Sequence, residues 1–343
     1  MEAIQKVVLA EPRGFCAGVE MAIKSLAWMV ELFDAPVYCY HDIVHNRSVV
    51  ETFERAGVIF VEDIADVPAG AAVMLSAHGS APEVVAAARE RAEVVIDAVC
   101  PLVAKVHHEV KIRAGQGYDI LYVGHSGHDE AVGTMAVAPA AVHLVERSSD
   151  VAALEPSGRP VALLSQTTLG MSEWTDVRSA VEQRFPEVWM PAKNDLCFAT
   201  TNRQTALQAL ARDVDAIIVI GSQTSSNTNA LERVARESGC ARVVRIETVA
   251  DLPDDLAGVI GVTAGASVPE QLVDGVLQAL DPVEGVDTLR VTEEDEYFPL
   301  PGGLRRRLGA DDLEADRRTD ASDALERLAK RAAERIAATA HPI

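Results

Sequence analysis

Short apolar runs of strand length recur along almost the whole chain, and most lack polar alternation. They are "KVVLA", "PVYCY", "GVIFV", "AAVMLSA", "VVIDA", "DILYVG", "VHLV", "PVALLSQ", "DAIIVIG", "RVVRI" and "GVIGVTAG". Segments of helical period lie between them, among them "EVVAAARERA", "EWTDVRSAVEQRF" and "ATTNRQTALQALARD". A strand without polar positions is buried on both faces, and helices between such strands supply the crossovers that parallel pairing needs. The chain therefore reads as α/β, built on mostly parallel sheets.

Three cysteines divide this pattern. Cys16 stands in "RGFCAGVE", Cys100 in "DAVCPLVAKV" and Cys197 in "NDLCFATTNRQ", at intervals of 84 and 97 residues, each just before a helical stretch. A polar loop follows each at a similar distance: "HDIVHN" with His45, "GHSGHDE" with His128, and "GSQTSSNTN" with Ser225 and Asn227. A second polar loop then follows a buried strand: "SAHGS" with His78, "SQTTLG" with Thr167, "TAGAS" with Ser267. The order repeats three times although the side chains differ. Ligands of open parallel sheets bind at the carboxyl ends of strands, where these loops fall. The expectation is three pseudo-symmetric α/β domains around a central cavity: 16–99, 100–195, and 196–285 with the N-terminal strand 1–15. Residues 286–343 read as a partly disordered extension with an optional helix carrying Leu325, Leu328, Ala332 and Ile336 on one face.

Charge narrows the function. Net charge is −21, from 52 acidic and 31 basic residues, which argues against nonspecific nucleic-acid binding and against docking on an anionic membrane. A locally positive pocket for a small anion is still allowed. The N-terminus lacks a signal peptide's basic start and long apolar core, and no apolar stretch approaches the ~20 residues of a membrane span. The chain reads as soluble and cytoplasmic. Five scattered cysteines do not make a secreted disulfide framework.

Three thiolates drawn to one place could hold zinc or an iron–sulfur cluster. Structural zinc usually takes four ligands, often in close pairs that are missing here. A [4Fe–4S] cluster with three cysteines keeps one iron open. Cys39, mid-strand, and Cys240 read as packing residues. His45, His78 and His128 are each a metal ligand, an acid–base group or an anion donor. No P-loop sequence is present, but His, Ser, Thr and Asn donors at helix starts suit a diphosphate. The run Ser225–Ser226–Asn227 doubles as a helix-start signal. Glu130 is the acid set within a His- and Gly-rich loop, where a buried carboxyl delivers a proton or simply favours a helix N-terminus. Thr167 offers a hydroxyl for relay or orientation. His125 carries no comparable case.

Together, "VVLAEPRGFCAGVEMAI", "HNR", "SAHG", "CPLVAKVH", "QTTL", "CFATTNRQ", "SSN" and "GVTAGASVPEQLV" occur in an order that resembles the LytB/IspH family of 4-hydroxy-3-methylbut-2-enyl diphosphate reductases, over residues 7 to 275. The resemblance implies three pseudo-symmetric domains around one [4Fe–4S] cluster per chain, held by Cys16, Cys100 and Cys197 with one iron open. It also implies a two-electron reductive dehydroxylation of an allylic diphosphate, ending the non-mevalonate isoprenoid pathway. His45, His78, His128, Ser225, Ser226, Asn227 and Ser267 would hold the diphosphate. Glu130 would donate the proton, with Thr167 and His128 at the reacting end. A ferredoxin or flavodoxin would supply electrons, docking on a patch such as Lys105, Lys111 and Arg113. Two departures stand out: Asp129 where many members carry proline, and Val99 in place of a threonine before the second cysteine. The rival from another class is a non-catalytic iron–sulfur or metal sensor whose loops bind a regulatory anion.

Overall fold

A computed structural model describes the backbone of residues 3–339 and side chains as far as residue 334. The chain divides into two compact units, residues 15–101 with 296–343 and residues 1–14 with 102–295. The strands are β1 (Ile4–Glu11), β2 (Val37–Tyr40), β3 (Val58–Val61), β4 (Ala72–Leu75), β5 (Val94–Asp97) and β6 (Asp119–Val123). They continue with β7 (Val142–Val145), β8 (Val161–Ser165), β9 (Ala216–Ile220), β10 (Arg242–Ile246), β11 (Gly258–Ala264) and β12 (Val286–Arg290).

The unit formed by 15–101 and 296–343 is built on the parallel sheet β3-β2-β4-β5. Helix Ala17–Leu32 packs Ala22, Ile23, Leu26 and Met29 into its core. Leu300, Leu304, Ala321, Ala324, Leu325 and Leu328 belong to that same core. The tail therefore differs from the appendage its charge-rich composition suggests: it forms helices Gly302–Arg305, Ala310–Arg318 and Ala321–Thr339. An apolar residue every three or four positions is enough to seat the last helix, and Ala332 is buried as well, while the Ile336 side chain lies outside the described residues. A buried ion pair fixes the join, with Lys24 Nζ 3.3 Å from Asp316 Oδ2 and also donating to the Asp316 carbonyl at 2.6 Å.

The unit formed by 1–14 and 102–295 carries two parallel sheets, β10-β9-β11-β1-β12 and β7-β6-β8. Strand β9 shows why its run reads as continuous apolar sequence. Ile218 and Ile220 enter the core on one face, and Ile217 and Val219 enter another on the opposite face. Each side chain so buried contributes about 1.5–3 kcal/mol. Strand β12 escapes sequence reading because it is an exposed edge, "VDTLR", paired only to β1.

All three sheets share one topology. From β2 the chain passes to β3 on one side and returns to β4 on the other; β6 does the same with β7 and β8, and β9 with β10 and β11. Each sheet thus has a switch point, where the carboxyl ends of two adjacent strands open a crevice. No helix among the described residues is long and apolar enough to cross a membrane.

Candidate active site

The expected site residues fall at those crevices. His45 follows β2 and His78 follows β4; His128 and Glu130 follow β6 and Thr167 follows β8; Ser225–Asn227 follow β9 and Ser267 follows β11.

In the unit formed by 15–101 and 296–343, Cys16 is the N-cap of helix Ala17–Leu32, and its side chain makes no capping hydrogen bond. Cys100 follows β5, with its N–H donating to the Ala77 carbonyl at 3.0 Å. The two thiols flank Gly18: a Cβ there would lie 2.8 Å from the Cys100 sulfur and 3.9 Å from that of Cys16. Only glycine leaves this space between two half-buried sulfurs. At the crevice of the same unit, the imidazoles of His45 and His78 stack with ring centroids 4.1 Å apart. Asn46 caps the following helix, Arg47–Arg55, by accepting from Val49 N at 3.2 Å, which fixes the loop that carries His45.

In the unit formed by 1–14 and 102–295, His128 caps helix Asp129–Val137, its Nδ1 accepting from Glu130 N at 3.1 Å. Glu130 is only 2% exposed. Its carboxylate accepts from Thr167 N at 2.7 Å and from Thr167 Oγ1 at 3.0 Å. Burial pushes this carboxyl up to about 7; the two Thr167 bonds oppose the shift and the charge of Asp195 adds to it. The group therefore exchanges its proton near neutrality.

The Thr167 carbonyl accepts from Cys197 N at 3.0 Å, so the third cysteine is anchored to the same residue. Cys197 caps helix Phe198–Leu210, its sulfur bonded to Thr200 N at 3.2 Å and to Thr200 Oγ1 at 3.0 Å. That helix is pinned by Arg203, 1% exposed, whose Nη1 meets both Glu294 carboxylate oxygens at 3.0 Å. Its Nη2 donates to the Gly14 carbonyl at 2.9 Å, two residues before Cys16 in sequence.

At the β9/β11 crevice, Ser225 caps helix Ser226–Glu237, and Ser225, Ser226, Asn227 and Ser267 are all buried. Both polar side-chain atoms of Asn227 lack a hydrogen-bond partner among the described residues. Gly265 makes room beside them, since a Cβ there would fall 3.7 Å from Asn227 Nδ2 and 2.3 Å from Thr228 Oγ1. An orphaned buried amide carries a desolvation cost that a ligand relieves. Gln166, missed in the sequence though it stands in "QTTL", links two crevices: its Nε2 donates to Ser226 Oγ at 3.0 Å and its Oε1 accepts from His125 N at 3.0 Å. Of the suggested docking cations, Lys105 is bound to the buried Asp195 at 3.2 Å. Arg113 lies over the Trp189 ring at 3.7 Å and bonds Glu109 and Gln116.

Strand-end crevices lined by hydrogen-bond donors, a buried carboxyl titrating near 7 and two cysteines at helix N-caps mark an α/β enzyme. The model of the LytB protein family matches residues 7–281, and the chain belongs to that family. It is 46% identical over 310 residues to the 4-hydroxy-3-methylbut-2-enyl diphosphate reductase of Rhodopirellula baltica, covering 88% of this chain and 96% of that one. The reductase of Mycobacterium leprae is likewise 46% identical over 310 residues, covering 88% and 92%. Among solved structures, the E-1-hydroxy-2-methyl-but-2-enyl-4-diphosphate reductase of Plasmodium falciparum superposes with a TM-score of 0.85 at 34% identity, over 90% of this chain and 98% of that one. Membership makes the chain an oxidoreductase with an iron–sulfur cofactor, a small-molecule substrate and a redox partner. The sulfurs suit such a cofactor: in one unit two thiols lie on either side of a glycine, and in the other a sulfur accepts from Thr200 N and shares a second hydrogen bond with the Thr200 hydroxyl.

Proposed function

We propose that this chain reduces 4-hydroxy-3-methylbut-2-enyl diphosphate to isopentenyl diphosphate and dimethylallyl diphosphate, the last step of the non-mevalonate isoprenoid pathway. The observation that carries the reading is Glu130, a buried carboxyl near pKa 7 bound at both oxygens by Thr167. Cys16, Cys100 and Cys197 would hold one [4Fe–4S] cluster by three ligands, with one iron open. When bound, the cluster would pass on two electrons from the donor, one at a time, and offer a Lewis-acidic iron. One sheet for each of the segments 16–99, 100–195 and 196–285 supports the three-domain reading, with β1 joining the third.

The chain's own residues do the rest. His45, His78, His128, Ser225, Ser226, Asn227 and Ser267 hold the diphosphate, with Asn227 Nδ2 as an amide donor in need of an acceptor. The N-terminus of helix Ser226–Glu237 favours the same negative charge. When Glu130 is protonated, Thr167 N still donates to Oε1 while the Oε2 proton is given to Thr167 Oγ1. The Thr167 hydroxyl proton is then free to pass to the departing oxygen, which leaves as water. Substrate, two electrons and two protons give either product and one water. A small acidic carrier of the ferredoxin or flavodoxin type supplies the electrons in the cytoplasm.

The test is protein purified without oxygen, assayed for iron, sulfide and zinc, examined by Mössbauer spectroscopy, and then given substrate and a one-electron donor. About four irons and four sulfides per chain with one distinct iron site, and turnover to both products, support the proposal. One zinc and no sulfide sinks it. A full cluster without turnover favours the anion-binding sensor.

A further inference from the structure

His125 sits three residues before His128 in the loop after β6, and sequence reading gives it no role. In the structure it lies between two side chains. Its Nε2 is 2.9 Å from Glu173 Oε1, and its Nδ1 is 3.4 Å from Ser226 Oγ. Glu173, largely buried on helix Met171–Arg184, is held from its other oxygen by Arg233 Nη1 at 2.6 Å. Burial alone would raise the Glu173 carboxyl, but the hydrogen bonds and charges of His125 and Arg233 bring it below its ordinary value. A carboxylate on Nε2 fixes the imidazole's orientation and leaves Nδ1 facing the serine.

Ser226 Oγ therefore has crowded surroundings: Gln166 Nε2 at 3.0 Å, His125 Nδ1 at 3.4 Å and the Thr168 carbonyl at 3.4 Å. Gln166 occupies one of its lone pairs as a donor. A His125 that donates from both nitrogens, to Glu173 and to Ser226, fills the second lone pair and turns the single hydroxyl proton away from the Thr168 carbonyl and out to the crevice. Next to Ser226 stands the orphaned Asn227 amide, which marks the crevice as a place for a ligand.

We propose that His125, fixed by Glu173 on Nε2 and donating Nδ1–H to Ser226 Oγ, is a positioning residue that orients the Ser226 hydroxyl toward a phosphoryl oxygen at the β9/β11 crevice. The inference rests on the proposed diphosphate role of Ser226 and adds the relay Glu173–His125–Ser226 behind it. Neither His125 nor Glu173 touches the ligand.

The experiment measures inorganic diphosphate affinity by calorimetry on the cluster-loaded protein, alongside steady-state kinetics. His125→Ala should weaken diphosphate binding about tenfold, equivalent to ~1.4 kcal/mol. KM should rise in step, with kcat within about twofold and the cluster's visible spectrum unchanged. Ser226→Ala should weaken diphosphate binding to the same extent, and the double variant should lose little more affinity than either single one. Glu173→Ala should follow His125→Ala, while Glu173→Gln, whose amide oxygen still accepts from Nε2–H, should recover most of the affinity. His125→Ala binding diphosphate normally while Ser226→Ala does not overturns the relay and leaves the ligand role of Ser226 standing. Glu173→Gln as damaging as Glu173→Ala also overturns it. Ser226→Ala with unchanged affinity removes the reading beneath it.

Discussion

The carboxylate of Glu130 is met at both oxygens by one residue: Thr167 N–H lies 2.7 Å from Oε1 and the Thr167 hydroxyl 3.0 Å from Oε2. The same Thr167 carries Cys197 on its carbonyl. Proton source and third cysteine therefore move together, and several expected outcomes follow from that join and its surroundings.

Glu130 has to be protonated to act as an acid, so turnover should be high below pH 7 and fall as pH rises through about 7. Glu130→Gln should cut kcat by about 10²–10⁴ with the cluster spectrum intact. The stability sign is also fixed. A carboxyl raised from 4.5 to about 7 in the fold contributes stability that is complete below its unfolded value and lost as pH climbs to 7 and beyond. The Tm of Glu130→Gln relative to wild type should therefore increase between pH 5 and pH 8.

Gly18→Ala gives helix Ala17–Leu32 a better helix former, worth about 1 kcal/mol, yet places a methyl 2.8 Å from the Cys100 sulfur. The variant should keep its far-ultraviolet circular dichroism and lose iron and sulfide. Full cluster content in this variant would falsify the view that the glycine makes room for the cofactor.

Thr200→Val removes the hydroxyl bond to the Cys197 sulfur and leaves the backbone one in place. Hydrogen bonds to cluster sulfurs raise the reduction potential. The variant's potential, measured by spectroelectrochemistry, should therefore move to a more negative value.

Asn227→Ala removes a buried amide that has no hydrogen-bond partner among the described residues. The variant should gain stability, by about 1–3 kcal/mol in denaturant unfolding, while losing diphosphate affinity. Loss of both stability and affinity would mean the amide has a structural partner instead.

Asp316→Ala strands the Lys24 ammonium, whose side chain is 6% exposed, and also removes the carboxylate that accepts from Trp28 and Tyr297. A cost of about 3–5 kcal/mol is expected, with the tail helices becoming protease-sensitive. Replacing both partners, Lys24→Met with Asp316→Leu, should restore most of it.

How much of this could be read beforehand depended on the range of the interaction. Among the described residues, eleven of twelve strands showed as apolar runs, most completely β9, which is buried on both faces; β12 did not, because its side chains are mostly exposed. The placement of His45, His78, Thr167 and Ser225–Asn227 just after strands was legible because loop position is a local property. The roles of Gln166, Glu173 and Arg203 arise from contacts 41 to 189 positions apart in the chain, and no spacing rule reaches them. The tail misled because its charges dominate its composition, while its packing rests on a sparse apolar stripe and one buried pair.

Strand β1 leaves the ribosome before the other strands of its unit, yet its two neighbours, β11 and β12, are the last of them. At 5–20 residues per second, about 250 residues of further synthesis leave it unpaired for about 12–50 s. The turn that leads to Cys16 hangs from that strand through Gly14 N–H on the Ala264 carbonyl, at the end of β11. That turn is therefore fixed only after β11 has been made.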